Sequence, residues 1–400
     1  MSDCRVGVAI LGATGSIGKS TIDVISRNSD KYKITAVTAN RNVNGILELC
    51  RQFKPHVAAM ADEFAAKQLQ QQINSEGLNC EVVCGVNGQV KAATLPQNDT
   101  VVAAIVGGAG LIPAYEAVKV GKKILLANKE ALVMTGELFM SEAHRSGAQV
   151  LPVDSEHNAV FQSLSSVAKG KNVTEIDDKG VKRIILTASG GPFYNREDAD
   201  FSKITPEEAV AHPNWSMGSK ISVDSATMMN KGLEVIEAGW LFDLPASKID
   251  VVIHPQSIVH SMVEYIDGSV VAQLGNPDMR TPIAHALAWP QRVDAGVESL
   301  DFCKMTELQF FEPDNSRFPC LGLAYRAMKN GGSMPTVLNA ANEIAVAAFL
   351  QRGIRFDQIA TVVSGAMNSM EQSHPDSIDD VLRVDSDARS YAKLLVENGC

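Results

Sequence analysis

The chain has 400 residues, 45% hydrophobic, 20% charged and 6% aromatic, enough for two or three domains with buried cores; disorder and collagen-like repetition are excluded. With 36 Lys and Arg against 46 Asp and Glu the net charge is −10, which disfavours nucleic acid and anionic lipid surfaces and means that an anionic ligand needs a local basic pocket. The most apolar long stretch, 101–115, contains three glycines and a proline and falls short of the ~20 residues that span a bilayer.

The first 150 residues alternate short β-branched runs (6–11, 34–38, 57–60, 81–84, 101–106, 124–127) with helical patterns such as 16–26 and 113–120, the latter with Pro113 at its start and Gly121 after its end. That alternation predicts βαβ units and a mostly parallel sheet over 1–153. Polar loops then lengthen, and strands at 183–187, 251–254 and 270–273 among single helices predict an α+β domain over 154–290. Residues 291–315 read as a linker. Beyond it Leu338, Ala341, Ala345, Ala348 and Phe349 fall at helical spacing, and the patterns at 357–370 and 386–397 complete a C-terminal helical domain over 316–400. Seven cysteines, at 4, 50, 80, 84, 303, 320 and 400, make no CxxC pair. Reduced structural thiols, and an N-terminus without a basic-then-apolar leader, lead us to expect a cytoplasmic protein.

Gly12-Ala-Thr-Gly15-Ser-Ile-Gly18 stands between the first strand and the first helix, the context in which small residues admit a pyrophosphate to a helix N-terminus. The spacing is GxxGxxG, a variant of the usual fingerprint, and a tight turn without ligand is the bland alternative. A Rossmann-type NAD unit carries an acid at the end of its second strand; here that place reads Asn40-Arg41-Asn42, and an arginine suits the 2′-phosphate of NADPH.

Asp154-Ser155-Glu156 follows the strand 149–153. In extended chain i and i+2 share a side, so the two carboxylates are expected to converge. A hard divalent ion such as Mg²⁺ or Mn²⁺ would relieve their repulsion, although two acids at a strand end are also served by water. Glu234, on a helical run, is a third acid whose proximity spacing cannot decide. Thr187-Ala-Ser189-Gly190-Gly191 and Ser225-Ala-Thr-Met-Met-Asn230-Lys231 supply the donors a phosphate monoester needs, with Ser225 placed at a helix start. His212-Pro-Asn-Trp215-Ser-Met217-Gly218 reads as a loop with an exposed Trp, hence a lid near 209–220. His157, His254, His260 and His285 have apolar neighbours and read as satisfied core histidines.

Taken together, GATGSIG, LLANKEAL, LPVDSEHNA, ASGGPF, HPNWSMG, KISVDSATMMNKGLE, HPQSIVHSM, PDMRTPIAHALAWP and LNAANEIAVAAFL closely resemble the 1-deoxy-D-xylulose 5-phosphate reductoisomerase family, from Val8 to about Asp385. The resemblance implies an NADPH- and metal-dependent enzyme of non-mevalonate isoprenoid synthesis, which rearranges its ketose phosphate and reduces the product to 2-C-methyl-D-erythritol 4-phosphate. It implies Mg²⁺, Mn²⁺ or Co²⁺ on Asp154, Glu156 and Glu234, and phosphate on Ser189, Ser225, Asn230 and Lys231. Lys129 and Ser155 would touch substrate, Trp215 would cover it, and His212 would belong to the lid. Cofactor contacts would come from Thr14, Gly15, Ser16, Ile17, Arg41, Asn42, Asn128, Glu130, Met217 and Gly218. Many family members have Gly-Lys-Asn where this chain has Asn40-Arg41-Asn42, which puts the backbone contact at Asn40 in question. The family also forms homodimers. Lys129, Glu156 and His212 are the candidates for catalysis, with Glu156 or a metal-bound hydroxyl for proton transfer. Two other readings are an NADP-dependent sugar-phosphate or semialdehyde dehydrogenase without metal, and a non-catalytic NADPH sensor.

Overall fold

The computed structural model describes residues 4–164, 176, 180–196, 198–212, 215, 218–305 and 307–399. Seven strands, β1 (Val6–Leu11), β2 (Tyr32–Ala39), β3 (Val57–Met60), β4 (Glu81–Cys84), β5 (Thr100–Ala103), β6 (Lys123–Leu126) and β7 (Gln149–Pro152), form one sheet in the order β4-β3-β2-β1-β5-β6-β7. All neighbours are parallel. Helices cover both faces, which is why β1, β3 and β5 read as unbroken apolar runs: Val8, Ala9, Ile10, Val101 and Val102 are fully buried. Burying each such branched side chain contributes about 1.5–3 kcal/mol. Strand order reverses between β1 and β5, and in an open parallel sheet the ligand crevice lies at the carboxyl ends on either side of that reversal.

β5 stops three residues before the expected 106. Its last ladder partners, Leu11 and Leu126, lie opposite Ala103; Gly107, Gly108 and Gly110 follow, with Gly107 at φ +72°.

A second sheet holds β8 (Val181–Ala188), β9 (Ile249–Ile253), β10 (Val259–Tyr265) and β11 (Val270–Leu274) in the order β11-β10-β8-β9. β8 and β9 are parallel, and β10 runs against both β8 and β11. The ends of β8, β9 and β11 therefore share one edge with the start of β10. Sequence reading misses β10, an internal strand. Its run Val-His-Ser-Met-Val-Glu-Tyr is largely buried on both sides and so shows no alternation.

Helices Pro319–Asn330, Met334–Leu350, Gln358–Ser369 and Ile378–Glu397 form the C-terminal unit. The almost wholly buried Met334–Leu350 ties it to the rest: Thr336 Oγ1 donates to Met134 O (3.0 Å) and Asn342 Nδ2 to Asp224 Oδ1 (2.8 Å). Among the described residues, no helix is long and apolar enough to cross a membrane.

Candidate active site

The carboxyl ends of the two sheets meet across a cleft of about 610 Å³. From the first sheet come Gly15, Ser16 and Ile17 after β1, Ile105 and Val106 after β5, Lys129 and Glu130 after β6, and Asp154, Ser155 and Glu156 after β7. The second contributes Ser189 after β8, Ser257 after β9 and His260 at the start of β10; helices bring Ser225, Asn230, Lys231 and Glu234.

Asp154 and Glu156 converge, but not as extended residues. Pro152 ends β7, Asp154 occupies the N-cap of helix Ser155–Ser163, and Glu156 lies in its first turn. Proline lacks the N–H that would extend the ladder, β7 ends one residue before the expected 153, and the helix begins at Ser155, so neither carboxylate sits on a strand. The Asp154 side chain makes no capping hydrogen bond and pairs instead with Lys129. One oxygen each of Asp154, Glu156 and Glu234 lies within 4.8 Å of the others.

Two ammonium groups stand among these acids. Lys129 Nζ is 3.1 Å from Glu234 Oε1, and Lys231 Nζ is 2.8 Å from Glu156 Oε1 and also pairs with Glu234. Burial works against both ammonium ions, but the facing carboxylates keep their pKa values above the ordinary range. Burial likewise opposes ionised Glu156; Lys231, then the Ser155 hydroxyl at 2.6 Å, hold its pKa below the usual range. Glu234 moves the other way, raised by burial and by the Glu156 charge. Among the described residues Lys129 and Lys231 are the ammonium groups paired with these three acids, and every acid donor is oxygen, so the residues fit a hard divalent ion. Gly136 sets the spacing of the helices involved: a Cβ there would fall 2.2 Å from the Trp240 indole nitrogen, so only glycine lets Lys129–Ser146 approach Met229–Phe242 this closely.

Behind Glu234, His157 Nε2 lies 2.8 Å from the Glu234 carbonyl oxygen and Nδ1 lies 3.1 Å from Glu237 Oε2. Burial lowers the imidazole pKa but Glu237 outweighs it, lifting it to about 9. His157 is thus a core histidine that also braces a candidate metal ligand. His254, His260 and His285 are buried as well, with His260 in the cleft wall.

The four residues expected around phosphate line the cleft, but two of them face the acids. Asn230 Nδ2 donates to Glu234 Oε1 (2.5 Å) and Oδ1 accepts from Lys129 (2.9 Å); Lys231 has the partners given above. Ser189 Oγ lies 2.8 Å from His212 Nε2, and His212 Nδ1 accepts from the Trp215 backbone N–H at 3.0 Å. This fixes the tautomer with hydrogen on Nε2, and burial lowers the pKa of His212. Ser225 is not at a helix start. It sits in the last turn of Ser219–Ala226, and the chain restarts at Met229 after Met228 at φ +63°. Trp215 is half-buried, 6.3 Å from the His260 ring, rather than exposed. Of the expected lid, residues 213, 214, 216 and 217, and hence the contact expected of Met217, lie outside the described residues; Gly218 lines the cleft.

At the glycine loop, a Cβ on Gly18 would fall 2.5 Å from the Ala13 and Gly12 carbonyl oxygens, and helix Ser16–Arg27 has no side-chain cap. No side chain therefore occupies the N-terminal N–H groups to which the sequence assigns an anion. Thr14 is half-buried and outside the cleft lining, while Arg41 and Asn42 line a separate hollow with Gln68, Gln71 and Gln72. Arg41 is 78% exposed in its side chain and pairs with Asp62 at 3.1 Å; Asn42 caps helix Val43–Phe53. Asn40 is not among the non-glycine residues with positive φ, so asparagine carries no strain there. Asn128 spends its side chain inside, accepting from Ala131 N and donating to Gly107 O.

Sequence reasoning missed Lys220, whose Nζ lies 2.7 Å from Glu130 Oε1 and 2.9 Å from Asp224 Oδ2 in the cleft wall. The carboxylates outweigh burial and raise its pKa, and Lys220 in turn lowers that of buried Glu130. The i, i+4 spacing to Asp224 is the one sequence signal.

Residues 8–136 match the sequence family described as 1-deoxy-D-xylulose 5-phosphate reductoisomerase, 150–242 its C-terminal domain, and 274–391 the DXP reductoisomerase C-terminal domain. The reductoisomerase of Nitrosococcus oceani is 54% identical over 392 residues, 98% of this chain and 99% of that one. The chain belongs to the 1-deoxy-D-xylulose 5-phosphate reductoisomerase family. The reductoisomerase of Acidithiobacillus ferrooxidans is 56% identical over 96% of both chains. Two solved reductoisomerases share the fold: one in complex with NADPH, fosmidomycin and magnesium (TM-score 0.94, 44% identity, 99% of this chain and 100% of that one), and one from Zymomonas mobilis with NADPH (0.90, 46%, 99% and 100%). The family places both sheets, and the cleft between them, in a known enzyme architecture.

Proposed function

We infer that the chain converts 1-deoxy-D-xylulose 5-phosphate to 2-C-methyl-D-erythritol 4-phosphate, using NADPH and a divalent metal. The observation that carries this reading is the convergence of Asp154, Glu156 and Glu234 in the same cleft as the glycine loop. Those three acids would hold the ion, and Mg²⁺, Mn²⁺ and Co²⁺ all suit their donors. When bound, the ion polarises carbonyl and hydroxyl oxygens, which is what a skeletal rearrangement followed by reduction requires.

The chain's own residues divide the remaining work. Glu156, held ionised by Lys231, is better suited to gripping a cation than to taking a proton at neutral pH. Lys129 Nζ keeps its proton and presents it beside the acids, where a substrate oxygen develops charge. Ser155 contributes a hydroxyl at the same point. Ser189 with the Nε2–H of His212, Ser225, the Asn230 amide and Lys231 supply donors for a phosphate, and Trp215 closes the wall beside His260. Gly15, Ser16 and Ile17 receive the pyrophosphate in the cleft that Glu130 also lines, and Arg41 with Asn42 the 2′-phosphate, with Thr14 adjoining Gly15 and Asn40 adjoining Arg41 in the chain; Asn128 acts from inside, by holding Gly107 O. Residues 1–153, 154–290, 291–315 and 316–400 act as nucleotide unit, catalytic unit, linker and helical unit. Edge strand β11 exposes Val270 and Val271 beside Ile266, an apolar edge suited to a homodimer. A cytoplasmic location accords with Cys50, Cys80, Cys84, Cys303 and Cys320, which form no disulfide among the described residues.

The test is turnover. Purified protein with deoxyxylulose phosphate, NADPH and Mn²⁺ should consume NADPH and release methylerythritol phosphate, and EDTA should stop it. NADPH consumption that survives EDTA would favour a metal-free dehydrogenase.

A further inference from the structure

The turn after β5 borders the cleft opposite the glycine loop: Ile105 and Val106 line it with Gly15–Ile17, and Gly12 lies so close that a Cβ on it would be 2.6 Å from Ala104 O. This turn has little stiffness of its own. Val106 is 72% exposed, and Gly107, at φ +72° and ψ −168°, takes a backbone form open essentially to glycine alone. A turn of this composition has many conformations to lose when it is ordered, so what holds it matters.

One support is internal, the 3.0 Å hydrogen bond from Asn128 Nδ2 to Gly107 O. The other comes from the C-terminal helices. A Cβ on Gly107 would lie 3.1 Å from Glu343 Oε1, and one on Gly108 would lie 3.7 Å from Met134 Sδ and 3.8 Å from Arg389 Nη2, so the polar side chains against the turn are Glu343 and Arg389, with Met134 beside them. Both are fixed from behind. Arg389 Nη2 donates to Glu343 Oε2 at 2.7 Å, and Arg389 grips Asp385, one helical turn earlier, through Nε at 2.6 Å and Nη2 at 3.0 Å. The side chains of Arg389, Glu343 and Asp385 are 25%, 18% and 14% exposed, shielded enough that a forked guanidinium–carboxylate contact holds its geometry.

We propose that Arg389, acting through Glu343, is a positioning residue for the Val106–Gly108 turn and thereby sets the affinity of the cleft for NADPH. This rests on the reading of the cleft as the nucleotide site. It gives the helical unit a part in cofactor binding, exerted through the turn. Arg389 touches neither reacting atoms nor metal-binding acids, so its loss should act on NADPH and spare the sugar phosphate.

The experiment measures NADPH binding to the full chain by calorimetry, without substrate or metal, for the parent, Arg389→Met and Arg389→Lys, together with steady-state constants and melting temperature. Arg389→Met should weaken NADPH by roughly tenfold, about the effect of one charge-assisted hydrogen bond. It should raise KM for NADPH and leave KM for deoxyxylulose phosphate within about twofold, and Arg389→Lys should recover part of the loss. Unchanged NADPH affinity in a cooperatively melting Arg389→Met protein overturns the proposal. So does a parallel rise in both KM values without rescue by lysine, which would mark a structural role only. If Arg389→Met does not fold, Glu343→Gln decides by the same readings. A parent that binds no NADPH would overturn the functional reading itself.

Discussion

Lys231 Nζ stands 2.8 Å from Glu156 Oε1, so a residue expected at the phosphate is bonded to a residue expected at the metal. Both line the cleft, and the lysine's charge stabilises the acids before any ligand arrives. Lys231→Ala would leave Glu156 and Glu234 facing each other with one ammonium fewer. Breaking a buried pair costs about 3–5 kcal/mol, so the variant should melt well below the parent in EDTA. Mn²⁺ replaces the lost charge and should raise its melting temperature more than the parent's. Equal Mn²⁺-induced shifts would show that Lys231 does not share the acids' field.

Cofactor choice is expected to rest on Arg41, whose guanidinium is exposed and held by Asp62. Arg41→Ala should weaken NADPH about tenfold and NADH hardly at all. Asp62→Asn keeps an oxygen to cap helix Glu63–Ser75 while freeing Arg41, and should tighten NADPH. Equal weakening of both cofactors in direct titrations would mean that Arg41 shapes the loop and does not read the phosphate.

A pH effect is expected far from the cleft, at the opposite end of β6. Lys123 Nζ donates to the Leu287 carbonyl at 2.9 Å, and burial lowers its pKa to about 8 from an unfolded value of 10.5. Between those values the unfolded chain binds more protons than the folded one, so this lysine's contribution to stability rises with pH from 8 to 10.5. Below pH 8 it carries the full cost of a buried charge. In denaturant melts, Lys123→Met should lose ground to the parent across that window. A parent-to-variant difference that is flat with pH would contradict this.

Much of the molecule is legible in the sequence because its signals are local. The first-sheet strands are continuous apolar runs, and the glycine loop carries its own steric reason. What escapes is non-local or lacks the usual marks. β10 is an internal strand with His260, Ser261 and Glu264 in it, so neither alternation nor an apolar run announces it. The break between helices Ser219–Ala226 and Met229–Phe242 falls at Met228, a methionine in the left-handed region where glycine or asparagine would have signalled it. Lys220 finds Glu130 across 90 positions, which no spacing rule spans. For Asp154 and Glu156 the convergence is right and the geometry different: a helix N-terminus, not a strand, turns both toward Glu234.

The central claim is that Asp154, Glu156 and Glu234 together hold the divalent ion in the cleft where NADPH is consumed. Titration of Mn²⁺ into the parent, Asp154→Asn and Glu234→Gln, with NADPH affinity measured on the same samples, tests it most directly. Each variant should bind Mn²⁺ at least tenfold more weakly and lose turnover of deoxyxylulose phosphate, while NADPH affinity stays at the parent's value. A variant that binds Mn²⁺ as tightly as the parent would remove its residue from the site and contradict the account.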